Sequence, residues 1–217
     1  MRSWLIGLAL ATGALAPAWG FTQAAPATAA PLGDLSTVNR AIHVPAGARA
    51  GELESVNGAI RVDDGASFKS AEVVNGAIAL GSRVTASGGL ETVNGRIEVG
   101  SGSRIGGHIE TVNGGVQLNG SSVTGGIETV NGGITLLRSS VGGSLETVNG
   151  DLRIGSGSVV RGDLIVRKPH GWFNRSKPPK VTIEANATVE GRLLFEREVT
   201  LVIDPAARVA HPKPVTH

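Results

Sequence analysis

At 217 residues the chain can bury one sizeable core, yet 32 Gly, no Cys, no Tyr and 3% aromatic residues exclude a core built on large rings, a disulfide framework and a cysteine-held metal. Twenty basic residues against eighteen acidic ones leave a formal charge of +2, too even a balance for a nucleic-acid binder although the pI is about 9.4. The core must therefore come from regularity. In chain order, Arg2 stands before an apolar run from Trp4 to Ala16 that closes on Ala18-Trp19-Gly20, the layout of a secretory signal peptide over residues 1–20. The run is shorter than the roughly 20 apolar residues of a membrane span. The mature chain is then expected to begin near Phe21, with no transmembrane span, and to work in the periplasm or at the surface of a Gram-negative bacterium. Residues 21–34, rich in Ala and Pro, read as a linker.

From 35 to 166 the chain repeats. Val-Asn followed by Gly or Arg recurs at Asn39, Asn57, Asn75, Asn94, Asn113, Asn131 and Asn149, with gaps of 18, 18, 19, 19, 18 and 18. Each of the seven units holds short β-branched stretches between Gly/Ser clusters, with the strand period of two in Ile97-Glu98-Val99 and Leu152-Arg153-Ile154. The fold class is all-β: a single-stranded parallel β-helix, or β-solenoid, of 18–19 residues per coil, with neighbouring coils about 4.8 Å apart. The spacing of the aliphatic positions favours the right-handed form.

Stacking sorts like residues into rows. Leu53, Ala71, Leu90, Ile109, Ile127 and Leu145 form one apolar row, and Ile42, Ile60, Ile78, Ile97, Val116, Ile134 and Leu152 another. A third, Val38, Val56, Val74, Val93, Val112, Val130 and Val148, is expected to join them in the core. Asn-Gly suits a corner with left-handed backbone, and stacked Asn amides can hydrogen-bond along the row, so the Asn row reads as a structural ladder that fixes register. Glu54, Glu72, Glu91, Glu110, Glu128 and Glu146 must face water. Charges at strand spacing repel by about 1 kcal/mol per pair in water. Raised carboxyl pKa values, salt screening or a weakly held divalent cation could each compensate.

The pattern breaks over 167–180, a loop inserted into the solenoid that gathers Arg167, Lys168, Arg175, Lys177 and Lys180 around Trp172 and Phe173. Cations beside exposed aromatics are typical contact residues, which makes this loop the candidate contact site. Residues 181–209 resume as terminal coils and cap. Residues 210–217 form a tail whose two prolines block further pairing.

No catalytic motif stands out. G-x-S-x-G, G-x-G-x-x-G and S-x-x-K are absent, and His43, His108, His170, His211 and His217 lack metal-ligand spacing. Among the acids, Asp63, Asp64, Asp151 and Asp163 form no row. The reading is therefore no enzyme, no catalytic residue, no metal site and no cofactor beyond the weak cation just named.

Leu-Glu-Thr-Val-Asn-Gly, at Leu90–Gly95 and again at Leu145–Gly150, resembles the strand-repeat bacterial proteins grouped as adhesins. Gly-Ser-Gly-Ser-Val-Val-Arg-Gly-Asp-Leu, from Gly155 to Leu164, is similar to bactofilins, polymer-forming β-helical scaffolds. The first resemblance implies a non-catalytic rod of the cell envelope whose partner is an envelope glycan or protein. The second implies self-association end to end. A polysaccharide-binding or polysaccharide-cleaving β-helix is the remaining alternative.

Overall fold

The computed structural model describes residues 31–169 and 177–216, with 212–216 described by backbone alone. The signal segment 1–20, most of the linker, and Trp172, Phe173 and Arg175 of the inserted loop lie outside the described residues. Among those described, all regular structure is strand, and neighbouring coils pair in parallel. The chain is a β-solenoid of three faces.

Each coil gives one strand to each face, as the fourth does with Leu90–Asn94, Ile97–Val99 and Arg104–Ile105. The second face holds nine strands, from Ile42–Val44 to Thr200–Ile203, so the seven Asn-marked units are followed by two more turns. Register is strict, with Ile109 aligned to Leu90 on one side and Ile127 on the other. Near the C-terminal end, Thr188–Phe195 passes through a corner without stopping. Its first half pairs with Val159–Val160 of the third face and its second half with Leu164–Val166 of the first.

The first-face strand obeys the period of two, and this corrects one expected row. With Leu inward, Glu must point out, Thr in and Val out. The Leu row and the Ile row are buried as expected, Leu90 and Ile97 completely. The Val row is not core. Val38, Val56, Val74, Val93 and Val112 are 37–59% exposed. The buried partner of Leu is instead Ser55, Val73, Thr92, Thr111, Thr129 and Thr147. Each Thr hydroxyl is satisfied across the coil gap, because Thr92 donates to Gly76 O at 3.1 Å and Thr147 to Gly132 O at 3.2 Å.

The Asn-Gly corner also differs from expectation. None of its Asn or Gly residues has positive φ. Glycine is required there by contact, since a Cβ on Gly76 would stand 2.5 Å from Gly58 O, and the same collision recurs at Gly95, Gly114, Gly132 and Gly150. Left-handed backbone belongs to the next corner, between the second and third faces. Gly47, Gly65, Arg83, Gly102, Gly120, Arg138, Gly157 and Asn186 succeed one another there, one per coil.

The C-terminal tail is a strand rather than a free end. Arg208–Thr216 pairs with Thr188–Phe195, aligning Arg208 with Thr188 and Val215 with Leu194. The register slips between His211 and Val215, where Pro212 and Pro214 have no N–H to give to a ladder. No helix of the described residues is long and apolar enough to cross a membrane.

Candidate functional site

The outer side of the first face carries three parallel rows, and they arise from one local rule. In Leu-Glu-Thr-Val-Asn-Gly, alternation sends Glu and Val outward, and the chain then turns at Asn. The Asn amides form an unbroken ladder. Nδ2 of Asn57 donates to Oδ1 of Asn39 at 3.1 Å, and the pattern continues through Asn75, Asn94, Asn113 and Asn131 to Asn149, at 2.8 to 3.0 Å. Every amide is thereby tied to its neighbours and held in register.

Beside the ladder, the Glu row is aligned coil to coil from Glu54 to Glu146, with Ser36 opposite Glu54. Glu72, Glu91, Glu110 and Glu128 with Val93 and Val112 line an open groove of about 180 Å³. The crowding has an electrostatic cost. Burial first, then the charges of Glu110 and Glu72, hold the Glu91 carboxyl above its ordinary range. Glu128 is raised likewise, by burial and then by Glu146 and Glu110, against the opposing pull of Arg167.

Arg167 closes this row. It follows Val166 in the position that Val148 holds one coil earlier, and its guanidinium meets Glu146 through two donors, Nε to Oε1 and, at 3.1 Å, Nη2 to Oε2. It also reaches Glu196 at 3.1 Å. The two carboxylates hold its pKa above the usual arginine value. One cation of the expected contact loop is thus engaged by the acidic row. Lys168 gives its backbone N–H to Glu196 Oε2 at 3.1 Å, and Lys180 its own to Asp151 Oδ1 at 2.7 Å. Both roots of the insertion are pinned, and Lys177 is exposed.

The remaining acids serve as local ties. Asp63 sits 2.7 Å from His43 Nε2 and 3.5 Å from Arg61, and the His43 hydrogen bond leads the causes that lower its pKa. Asp64 accepts the Ser82 N–H at 2.8 Å. Asp163 accepts the Arg192 N–H at 2.7 Å and its guanidinium at 3.0 Å, and these bonds lower its pKa. Arg153 and the Ser156 N–H do the same for Glu184. Among the described residues no three His, Asp or Glu gather in metal-ligating geometry.

Sequence reasoning missed the third face. Its strands carry Arg104, with Arg83 and Arg138 at the corner that leads into this face and Arg161 directly after its strand, all four exposed. They sit at three different positions of the unit and so form no column in an alignment of repeats. The signal was one cation in most third-face segments of the middle coils, where Asp163 is the one carboxylate.

The chain matches no family model, no curated protein and no solved structure.

Proposed function

We propose that the chain is a non-catalytic, exported rod of the cell envelope, adhesin-like in role, whose partner is an envelope glycan or protein. The observation behind this reading is that the first face repeats one outward pattern, Glu and Val beside an Asn ladder, over successive coils in strict register. A surface repeated at coil spacing suits a long, repetitive partner, and its groove is open along its length. The apolar segment after Arg2 supports export.

Cell fractionation with sequencing of the mature N-terminus tests it. The expected product starts near Phe21 and is found in the periplasm or at the surface. A chain kept in the cytoplasm with Arg2 still attached overturns the reading.

An end-to-end scaffold is the second reading, favoured by the last coil, where Leu201, Ile203, Ala207 and Val209 pack on the core but are only partly covered. It predicts filaments one rod wide by electron microscopy.

A further inference from the structure

Two faces of the rod carry opposite charge over the same five coils. The first-face segments 71–76, 90–95, 109–114, 127–132 and 145–150 hold Glu72, Glu91, Glu110, Glu128 and Glu146 and no Lys or Arg. The third-face segments of those coils, 81–89, 100–108, 119–126, 137–144 and 155–163, hold Arg83, Arg104, Arg138 and Arg161, and their one carboxylate, Asp163, is engaged by Arg192. No carboxylate of the described residues lies within ion-pair distance of these four arginines. Arg138 donates to the Asn119 amide oxygen at 2.8 Å, which leaves its charge uncompensated.

The shapes correspond as well as the charges. On the first face Val74, Val93 and Val112 stand out by 37–41% of their surface. On the third face the outward residues between the arginines are small, namely Thr85, Ser122, Ser140 and Val159. A protruding row can therefore seat on a flat one at the roughly 10 Å separation of packed sheets. Both faces have the same coil rise of about 4.8 Å, because they belong to the same coils. A second rod laid alongside keeps its strands aligned and its charges at a matching period. A loose cationic peptide, with outward side chains about 6.6 Å apart along a strand, does not match that period.

We propose that the chain associates side by side with further copies of itself, the glutamate-valine face of one rod seated on the arginine-bearing third face of the next. The contact is heterologous, so each assembly keeps one free face of each kind and grows rod by rod into an open chain or a closed ring. Five coils of about 4.8 Å, across third-face strands of two residues and about 7 Å, bury on the order of 200 Å² per copy. That lies below the size of a permanent interface, so each contact is weak and sensitive to salt.

Sedimentation velocity of the full-length chain tests this, at about 20 mM and about 500 mM salt. The expected result is growth in size with concentration at low salt and its loss at high salt, whereas association through the apolar N-terminal segment would survive salt. Two double variants, Glu91→Lys with Glu110→Lys and Arg104→Glu with Arg138→Glu, should each associate at least about tenfold more weakly. Their changes are at exposed positions, and a single cooperative melting transition in each variant establishes folding. Mixing the two variants should restore association, because each supplies the charge the other lacks.

A wild-type chain of one size at every concentration and salt, variants that assemble like wild type, or a mixture that stays apart overturns the proposal. So does a wild-type chain that stays single while binding an anionic polysaccharide through Arg104 and Arg138. An exported chain that stays single overturns only the self-contact, and one that assembles but stays in the cytoplasm overturns only export. End-to-end stacking would be indifferent to these four side chains.

Discussion

The two corners flanking the second face are equally tight but rest on different physics. At the Asn-Gly corner, side chains and contacts between coils do the work: the amide ladder, the Thr hydroxyl on the preceding coil's glycine carbonyl, and glycines too close for a Cβ. At the following corner the backbone does it, through left-handed torsions that Gly65, Arg83 and Asn186 all adopt. The contrast explains why one corner reads Asn-Gly in six of the seven units, with Arg40 in the first of them, while the other corner varies. Contact leaves no choice of residue. A torsion permits several residue types, each at its own modest cost.

The largest expected effect breaks this contrast at its strict side. Gly114→Ala should cost about 3 kcal/mol or more, because the new Cβ meets the Gly95 carbonyl on a backbone fixed by both neighbours. Gly65→Ala, with φ +69° and nothing within 4 Å of the new Cβ, should cost only about 1 kcal/mol. Urea unfolding of the two variants measures the difference, and equal losses would contradict the division between the corners.

A smaller effect is expected in the ladder. Asn113→Ala removes the bonds to Asn94 and from Asn131 and should cost about 1–2 kcal/mol, against about half that for Asn39→Ala at the ladder's end. Denaturant midpoints of both variants give the ratio. A terminal loss as large as the central one would mean that the amides do not act as a chain.

The smallest effect concerns pH. Glu91 and Glu128 have folded pKa values above the ordinary 4.5, so their share of stability is fully present below that value and is lost as pH rises through the raised ones. The Tm should therefore climb as pH falls from neutral towards 4.5. Further acid reverses the trend, because Asp163 and Glu184 have depressed folded values and lose their ties on protonation. Scanning calorimetry across the range checks both limbs.

Much of this was legible in the sequence. The Asn spacing gave the coil length, and the Leu and Ile rows gave two of the six buried rows of the interior. The error at the Val row was avoidable: with Leu90 inward, a strand period of two puts Thr92 inward and Val93 outward, and hydropathy alone had argued otherwise. That Thr92 can be buried depends on Gly76 O lying within reach of its hydroxyl, which is a relation between coils that no single repeat contains. The same holds for Arg167, whose place at the end of the Glu row follows from register rather than from its neighbours in sequence. The tail misled because prolines end regular ladders, yet a strand can carry them where its register slips.

The alternation on the first face underlies both the open Glu-Val surface and the side-by-side contact, and thiol labelling tests it directly because the chain has no cysteine. Val112→Cys and Thr111→Cys, labelled separately in high salt so that self-association does not shield them, place a thiol on either side of one strand. The Val112→Cys thiol should react as fast as in the unfolded chain, and the Thr111→Cys thiol about a hundredfold more slowly until denaturant opens the coil. Equal rates, or protection at position 112 instead, would contradict the outward-facing surface.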